Sequence, residues 1–409
     1  MKLVLGLGKS GLATLQFLAE HSQAAEFADD QPQSEQLAAA EALGFARALE
    51  FIPKYQEVIA APGVALNHPW LEQARAAGIP VTGETELAYR HDSRPVIAIT
   101  GTAGKTSTTT FTTHLLNQAG LAVRAGGNLG IPYLELIRDP APLGFVLELS
   151  SFQLERIQNF KPQVAVLLNL GADHLDRHGS LENYHQAKLK ILQNLSESEA
   201  LVYNQSDPKI LAAAQSSPAR KFPFSPGPDP RTSNAQAALQ ATRAFLGQLG
   251  LPDPGLAKMV ADLPSVAGRF EVIGEKDGLC YIDDSIATRT LAAQAALTAA
   301  PAPVAWILGG VDKGAELLVL RPLVAAKVRV ILAIGKDGPA LARAFQDLCE
   351  VVAIPATSGQ EALSEAVRAA QDRLSQGSVL LAPLAASFDQ FRDYRERSQV
   401  FRRVVEASL

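Results

Sequence analysis

A glycine- and threonine-rich loop separates an apolar strand from a helix in the run VIAITGTAGKTSTTT, which begins at Val96. Gly101 and Gly104 allow backbone N–H groups to turn toward an anion. Lys105 adds a mobile cation, and Thr106 offers a hydroxyl to a magnesium ion. The common phosphate-loop spacing requires one more glycine, at a position where this chain has isoleucine. The segment therefore predicts a variant phosphate-binding loop, and the alternative is a turn that only caps a helix.

A second glycine loop lies at the start of the chain. The run GLGKSG, Gly6 to Gly11, follows a short apolar strand and matches a dinucleotide-binding fingerprint. Asp29 and Asp30 stand near the position of a ribose-binding acid. The pattern is compatible with an NAD-dependent dehydrogenase, with another nucleotide diphosphate site, or with a turn that only packs a strand against a helix. Because the chain has two such loops, two nucleotide-like ligands are favoured.

The run VLELSSFQLE places Glu148 at the end of another apolar strand, directly before Ser150 and Ser151. Ligands of open α/β sheets bind beyond the carboxyl ends of the strands. Glu148 and the Thr106 hydroxyl could therefore share a magnesium ion, and the alternative is a glutamate on the surface.

The run NLGADHLDRHGSLENYHQAKLKILQNL combines a strand end with an amphipathic helix. Asp173 and His174 follow the strand, and Ser180 is placed to cap the helix. One stripe of this helix contains Leu181, Tyr184, Lys188, Ile191 and Leu195.

The stripe predicts that Lys188 faces the core, whereas Lys190 points away. A buried ammonium must pair with an anion, lose its proton or react. A neutral amine can add carbon dioxide and become a carbamate, which is an oxygen ligand for a hard cation. Spacing alone favours an ordinary ion pair or a lysine whose amine reaches solvent.

These residues require parallel sheets that bring strand ends to a common edge. Short β-branched runs alternate with Ala- and Leu-rich stretches along the whole chain, which predicts an α/β protein with three sheets. The segment HDSRP at 91–95 is a candidate linker, and the proline-rich segment at 221–231 is expected to end the second sheet, before a helix from Ser233 or Asn234. The predicted domains are residues 1–92, 93–264 and 265–409.

Composition narrows the functional classes. The chain has 409 residues, of which 47% are apolar, and a net charge of -5, so we expect neither nucleic acid nor an anionic membrane as a partner. Two cysteines, Cys280 and Cys349, provide neither a disulfide framework nor a zinc cluster, and they suit a reducing cytoplasm. The sequence predicts no membrane insertion, and we expect a monomer.

The motifs together resemble a known family. GTAGKTS, ELSSFQLE, NLGADHLDRHGSLENYHQAKLKI, YIDDSIATRT, GGVDKGAE and APLAASFDQF, in this order, are similar to the motifs of the ATP-dependent Mur ligases of peptidoglycan synthesis. The resemblance covers nearly the whole chain. It implies a Rossmann-like N-terminal domain, a P-loop-like ATPase domain and a Rossmann-like C-terminal domain. It also implies an enzyme that joins D-glutamate to UDP-N-acetylmuramoyl-L-alanine through an acyl phosphate, with ATP and two Mg²⁺ ions.

The resemblance also implies roles for individual residues. The UDP end of the substrate would be lined by Lys9, Ser10, Asp30, Pro62, Gly63 and Asn128. ATP would be bound by Gly101, Thr102, Gly104, Lys105, Thr106, Ser107, Asn234, Arg269 and Asp284. D-Glutamate would be bound by Thr288, Lys313, Ser387, Phe388 and Tyr394. The metal ligands would be Thr106, Glu148, His174 and a carbamylated Lys188, and the catalytic residues would be Lys105, His174 and Lys188.

The chain also departs from the family pattern. The departures are Ala103 for asparagine in the phosphate loop, Ile286 for lysine, Arg289 for asparagine, Gly268 for histidine, and a short 204–233 segment with Arg231 at an adenine-side asparagine position. They put adenine affinity and phosphate positioning in doubt. Two alternatives therefore remain: a Mur-type or folylpolyglutamate-like ligase for another amino acid, and a degenerate protein that binds nucleotide without turning it over.

Overall fold

A computed structural model describes residues 1–408, which form three α/β sheets. The chain divides into two compact units. The first unit is Met1–Ser225 with Ala237–Leu263, and it contains the first two sheets. The second unit is Pro226–Gln236 with the chain from Pro264 onward, and it contains the third sheet. None of the helices within the described residues combines the length and the apolar composition needed to cross a bilayer.

The first sheet is parallel, with strand order β3-β2-β1-β4-β5. Its elements are β1 (Lys2–Leu5), α1 (Lys9–Glu20), β2 (Ala25–Ala28), α2 (Ser34–Ala42), β3 (Ala46–Arg47), β4 (Glu57–Ala60), α3 (Pro69–Ala76), β5 (Val81–Thr82) and α4 (Glu84–His91). The central strands β1 and β4 are apolar and covered on both faces, as parallel sheets require.

The second sheet is also parallel, with strand order β11-β10-β9-β6-β8-β7. Its elements are β6 (Val96–Thr100), α5 (Lys105–Gln118), β7 (Val123–Gly127), α6 (Tyr133–Leu136), β8 (Gly144–Glu148), α7 (Ser151–Leu154), β9 (Val164–Leu167), α8 (Leu175–His178), α9 (Leu181–Leu189), β10 (Ala200–Asn204), α10 (Pro208–Ser216), β11 (Arg220–Phe224), α11 (Pro230–Gln248) and α12 (Leu256–Met259). Strands β6, β8 and β9 are neighbours at its centre, so their carboxyl ends present the predicted chemical residues at one edge.

The third sheet has strand order β12-β13-β17-β14-β15-β16. Its elements are β12 (Glu271–Lys276), β13 (Leu279–Asp283), α13 (Thr290–Ala299), β14 (Val304–Gly309), α14 (Arg321–Lys327), β15 (Val328–Ile334), α15 (Gly338–Ala342), β16 (Glu350–Ala353), α16 (Gly359–Gln371), β17 (Gly377–Leu381) and α17 (Tyr394–Ser408). Short 3₁₀ turns occur at Lys190–Leu192, Val260–Asp262, Leu318–Leu320 and Arg343–Phe345.

One expectation about the proline-rich segment is confirmed and one is wrong. The second sheet ends in this segment, because its edge strand β11 runs from Arg220 to Phe224. An edge strand tolerates Pro223, whose nitrogen has no hydrogen to donate. The next helix begins at Pro230 and not at Ser233 or Asn234, since proline suits the first turn of a helix.

The expectations that Leu181 belongs to a buried stripe and that the third sheet is fully parallel are also wrong. Leu181 is 40% exposed, whereas Tyr184 and Lys188 are each 1% exposed. Position 181 opens helix α9, where the helix has not yet reached the core. Strand β12 pairs antiparallel with β13, so the third sheet is mixed at that edge.

Two buried carboxylates of α4 bind the backbone of the second-sheet region. Glu84 accepts a hydrogen bond of 2.6 Å from the N–H of Leu134, in the first turn of α6. Glu86 accepts from the three consecutive N–H groups at 158–160, at distances between 2.8 and 3.1 Å. A buried donor left without its acceptor costs about 1–3 kcal/mol. The two carboxylates therefore fix the first sheet to the second within this compact unit.

Glu84 makes stability depend on pH. Burial raises the pKa of Glu84 from 4.5 to about 7, against the hydrogen bonds from Leu134, Thr85 and Tyr133 that lower it. Because the folded pKa exceeds the unfolded one, this contribution to stability is present at low pH and is lost as pH rises toward 7. The E84Q amide does not ionise, so its contribution to stability does not change with pH. Between about pH 5 and pH 8 the natural chain should therefore lose roughly 3 kcal/mol of unfolding free energy relative to E84Q.

The measurement is thermal or urea unfolding of both chains across that pH range. The matched control is E182Q, which removes an exposed carboxylate. Parallel stability curves for E84Q and the natural chain would contradict the assignment of the pH dependence to Glu84.

Candidate functional site

The predicted phosphate loop joins β6 to α5 at the carboxyl edge of the second sheet. Gly104 is the N-cap of α5 with a φ of 84°, a left-handed conformation that favours glycine. The Lys105 ammonium donates to the carbonyl oxygens of Gly101 and Thr102, at 2.9 and 3.1 Å. The loop therefore presents the helix N-terminus and a lysine side chain to the same space, as a phosphate site requires.

Asn169 braces this loop, and the sequence analysis missed it. Its carboxamide accepts from the N–H of Ala103 at 2.8 Å and donates to the carbonyl oxygen of Ala103 at 3.0 Å. Its carbonyl oxygen accepts from the N–H of Thr102 at 3.1 Å. The brace uses only the backbone of position 103, so alanine preserves it. An amide side chain at the end of the apolar strand β9, next to β6, was the available signal.

Glu148 links three predicted groups of residues at the end of β8. Its carboxylate is 3% exposed, and it accepts from the Thr106 hydroxyl at 2.7 Å and from the Asn128 amide at 2.6 Å. The glutamate is therefore buried at the sheet edge and is not a surface residue. The structure brings the predicted phosphate loop, metal ligand and UDP-side asparagine together here.

Lys188 is buried, as the helical stripe predicts. Its amine donates to the carbonyl oxygen of Gly101 at 2.9 Å and lies 4.6 Å from the centre of the Tyr184 ring. Among residues 1–408 no carboxylate lies within ion-pair distance of this amine, and the residue is 1% exposed. The ordinary ion pair and the solvent-reaching lysine expected from spacing are therefore both wrong.

The surroundings of Lys188 favour a neutral amine. Burial lowers the pKa of Lys188 well below its usual value, and the positive charge of Lys105 lowers it further. The carboxylates of Asp173 and Glu148 oppose this shift without reversing it. A neutral amine is the form that reacts with carbon dioxide.

His174 is the N-cap of α8 and has a φ of 52°, which is uncommon for a residue other than glycine. Its side chain is 41% exposed, with Nε2 at 3.4 Å from a carboxylate oxygen of Asp173. The ring packs edge-to-face on Phe152, with 4.8 Å between ring centres. This arrangement holds an imidazole at the rim of the phosphate-loop edge.

The first sheet has a cavity of about 240 Å³ at its carboxyl edge, lined by Leu5, Ala28, Asp29, Asp30, Arg47, Ala48, Leu49, His68 and Trp70. The Nε2 atom of His68 is hydrogen-bonded to the Asp30 carboxylate at 3.2 Å. Asp29 accepts a hydrogen bond of 2.6 Å from the N–H of Leu7 and so stabilises the N-terminal glycine loop at 6–11. Lys9 and Ser10 open α1 beside this loop. A β-carbon at Gly11 would lie 1.8 Å from the carbonyl oxygen of Gly6, so the last glycine of the fingerprint is required.

Pro62 and Gly63 lie in the turn after β4. The carbonyl oxygens of this turn accept hydrogen bonds from Arg156 and Arg177, two residues that the sequence analysis did not single out. Both arginines come from the second sheet region, and no periodicity in the sequence connects them to the turn.

The predicted D-glutamate residues converge at the carboxyl edge of the third sheet. Thr288 follows β13, Lys313 follows β14, and Ser387 and Phe388 follow β17. An isolated antiparallel bridge joins the last two loops, and the Lys313 ammonium lies 5.6 Å from the centre of the Phe388 ring. Tyr394 is the first residue of α17.

Arg397 is hydrogen-bonded to the backbone next to the loops that follow β13, β14 and β17. Its guanidinium is 1% exposed and donates to the carbonyl oxygens of Ser285, Ala385 and Gly309, at 2.9, 3.2 and 3.4 Å. Burial lowers the pKa of Arg397 to about 10, so the group keeps its charge at neutral pH. The sequence analysis missed this residue because an arginine within an amphipathic helix usually faces solvent.

Asp284 and Arg269, two of the predicted nucleotide-binding residues, also lie together in the second unit. Burial raises the pKa of Asp284 to about 8; the N–H of Phe270 and the charge of Arg269 lower it, and Asp283 raises it. Asn234 lies in the segment of α11 that belongs to the same unit. Gly268 has a φ of 69°, a left-handed conformation that favours glycine.

The residues at the phosphate-loop edge fit Mg²⁺. Within the described residues no three His, Cys, Asp or Glu side chains form a metal cluster. Magnesium commonly uses one or two protein oxygens together with phosphate oxygens and water. Thr106 and Glu148, whose oxygens are 2.7 Å apart, provide such a partial set.

Comparison with known proteins gives the family. Three family models match: the Mur ligase MurD-like N-terminal domain at residues 1–83, the Mur ligase middle domain at residues 99–247 and the Mur ligase glutamate ligase domain at residues 268–383. The UDP-N-acetylmuramoylalanine--D-glutamate ligase of Thermus thermophilus is 56% identical over 409 residues, covering 100% of this chain and 97% of that protein. The ligase of the same name from Deinococcus radiodurans is 42% identical, covering 100% of this chain and 92% of that protein.

A solved structure confirms the fold. The pseudomurein peptide ligase type C from Methanothermus fervidus matches with a TM-score of 0.60 at 15% identity, and each chain is covered completely. At this identity the likeness concerns the fold alone. Together with the family models and the full-length relatives, it means that this chain belongs to the Mur ligase family and has its three α/β domains.

Proposed function

We propose that this protein joins D-glutamate to UDP-N-acetylmuramoyl-L-alanine at the expense of ATP, in the cytoplasmic synthesis of peptidoglycan precursors. The observation that carries the proposal is the full-length match, at 56% identity, to a ligase named for this reaction. The geometry at Glu148 supports it, because a phosphate loop, a metal-binding carboxylate and an asparagine for the sugar nucleotide meet there. We assign the UDP substrate to residues 1–92, ATP to residues 93–264 and D-glutamate to residues 265–409.

The first step requires two anions to meet. The alanine carboxylate of the substrate attacks the γ-phosphorus of ATP, which gives an acyl phosphate and ADP. Lys105 and the N-terminus of α5 bind the phosphates and stabilise the charge that develops on them. Magnesium, held by Thr106 and Glu148 at one site and by His174 and a carbamylated Lys188 at a second, would reduce the remaining repulsion.

The second step forms the amide. His174, exposed at the rim of the same edge, would accept a proton from the amine of D-glutamate after its ring nitrogen has left magnesium, because a metal-bound nitrogen has no lone pair for the proton. The amine attacks the acyl phosphate, and the tetrahedral intermediate loses phosphate. Lys313 is suited to bind a carboxylate of D-glutamate, and Thr288 and Ser387 offer hydroxyls from the neighbouring loops.

One departure from the family pattern, at Ala103, has a structural counterpart. Asn169 braces the loop through the backbone of Ala103, so the loop conformation does not require asparagine at that position. We therefore favour an active ligase over a degenerate binding protein. We also propose a monomer that binds no nucleic acid.

The test of the function is release of phosphate from ATP. We expect release to depend jointly on UDP-N-acetylmuramoyl-L-alanine, D-glutamate and Mg²⁺. E148Q should reduce the rate by at least about a hundredfold, because one oxygen ligand and one negative charge are lost. The control is E182Q, an exposed change on helix α9. A complete absence of phosphate release with all reactants present would instead favour the degenerate binder, and release with another amino acid would favour a different ligase.

Carbamylation of Lys188 gives the next prediction. K188M keeps the length and the apolar stem of the side chain but cannot form a carbamate, so activity should fall at least about a hundredfold while the fold is retained. With ¹³C-labelled bicarbonate, the natural protein should show a carbamate carbon resonance that K188M lacks. The matched control is K190M, since Lys190 lies on the same helical segment and donates to the carbonyl oxygen of Glu155 at the surface. Full activity of K188M would contradict a role for the amine.

Arg397 should control the affinity for D-glutamate. In R397K a single ammonium replaces the guanidinium that donates to three backbone carbonyl oxygens. The loops that bear Thr288, Lys313 and Ser387 then lose hydrogen bonds that connect them to the same side chain. We expect KM for D-glutamate to rise about tenfold, with KM for UDP-N-acetylmuramoyl-L-alanine unchanged. R402K is the control, because Arg402 lies on the same helix and pairs with Glu271 away from these loops. Equal KM values in R397K and R402K would argue against the anchor.

A further inference from the structure

Two arginines of the second sheet region hold one turn of the first. Arg156 donates to the carbonyl oxygens of Pro62 and Val64, the first at 3.3 Å. Arg177 donates to the carbonyl oxygens of Pro62, Gly63 and Val64, at 3.2, 3.0 and 2.8 Å. All three successive carbonyl oxygens of the turn at 62–64 are therefore occupied by guanidinium donors. We call Arg156 and Arg177 the arginine clamp.

Arg156 is buried in the first unit, whereas the Arg177 side chain is 13% exposed. Arg156 is 4% exposed. It packs closely on Gly83, because a β-carbon added at Gly83 would lie 3.2 Å from the β-carbon of Arg156. The Nε–H groups of both arginines are buried without a hydrogen-bond partner among the described residues. Such unpaired donors cost stability, so the clamp is not the arrangement that stability alone would favour.

The clamp also carries net positive charge. The Glu155 carboxylate lies 3.2 Å from the Arg177 guanidinium, and its negative charge raises the pKa of Arg156. Arg75 adds a third positive charge close enough to lower the pKa of Arg156. Burial lowers the pKa of Arg156 to about 10, so the guanidinium remains charged at neutral pH. The turn at 62–64 follows the carboxyl end of β4, where an anionic ligand of the first sheet is expected to bind.

The other end of the clamp is the turn that bears His174. Arg177 lies three residues after His174, and its N–H donates to the carbonyl oxygen of His174 at 3.1 Å. Phe152 packs against both: its ring centre lies 4.8 Å from the His174 ring and 4.7 Å from the Arg177 guanidinium. The histidine and the clamp arginine therefore share one packed surface.

Close polar contacts lie behind this turn. The His178 ring lies 3.2 Å from Glu155 through Nδ1 and 3.0 Å from the Ser151 hydroxyl through Nε2. Glu155 in turn pairs with Arg177. Arg177 therefore contacts the turn at 62–64 on one side and Glu155, next to His178, on the other.

We propose that Arg156 and Arg177 are positioning residues that join the UDP-substrate pocket and His174 into one mechanical unit, with their net charge favouring an anionic diphosphate at the turn. This inference rests on the proposed function. It predicts that the clamp governs affinity for the sugar nucleotide and, through Arg177, the placement of the histidine, while KM for ATP and for D-glutamate stays unchanged.

The test uses R156K and R177K in the full-length protein. Each should weaken binding of UDP-N-acetylmuramoyl-L-alanine, measured by calorimetry without ATP, by about tenfold, because a single ammonium cannot reach several carbonyls. R177K should also lower kcat about tenfold or more, because the histidine is displaced. KM for ATP and for D-glutamate should stay within about twofold of the natural values.

The matched control is R94K. Arg94 also donates to three backbone carbonyl oxygens of the same unit, at residues 137, 139 and 142, and pairs with Asp92, but it does not contact the turn at 62–64. R94K should lose thermal stability as the clamp variants do and should keep the natural affinity for the sugar nucleotide. Equal affinity losses in R94K and R177K would overturn the proposal.

Hydrogen exchange on the natural protein gives a measurement that does not depend on how the variants fold. Addition of UDP-N-acetylmuramoyl-L-alanine should protect the amides at 63–65 and those at 175–179 together, whereas protection confined to 63–65 would overturn the proposal. If the natural protein neither binds nor turns over this substrate, the proposed function fails and the inference fails with it. If the natural protein does both and the clamp variants match it, the clamp alone is wrong.

Discussion

The carbonyl oxygen of Gly101 accepts hydrogen bonds from two lysines, Lys105 and Lys188, each at 2.9 Å. Two ammonium groups that share one acceptor repel each other, and in a buried site water does not screen that repulsion. Burial and the charge of Lys105 both lower the pKa of the buried member, Lys188. This contact connects the predicted phosphate loop to the amine that we propose as a metal ligand, so the proposed chemistry of the second sheet depends on it.

The rest of the structure holds strand ends in place around that contact. Buried apolar strands bring the phosphate loop, Glu148 and Asn169 to one edge of the second sheet. Buried polar groups then restrict the loops between strands. Glu84 and Glu86 fix the first sheet to the second, the arginine clamp connects the UDP side to His174, and Arg397 anchors the loops of the third sheet. In each case an ionisable side chain is hydrogen-bonded to backbone groups, where loss of the hydrogen bond costs stability.

The motifs predicted which residues meet at the edge of the second sheet because each motif is local in sequence. The phosphate loop, Glu148 and the helix of Lys188 each follow a strand directly, and parallel strands end at a common edge. The residues that escaped prediction act over long sequence separations. Arg177 reaches the turn at 62–64, and Asn169 reaches Ala103, through contacts that no periodicity or spacing encodes. The same is true of β12 and β11, whose places at sheet edges depend on their neighbours.

The sequence by itself determined the α/β class, the order of the three sheets and the types of the reacting groups, since alternating strand and helix patterns and glycine loops are local properties of the chain. Tertiary structure decided the state of Lys188. Helical spacing predicted that the lysine faces inward, but only the fold placed it near Lys105 and beyond ion-pair distance of any described carboxylate. The physical reason is that the charge of a buried amine depends on the dielectric and the charges around it, and these are assembled from distant parts of the chain.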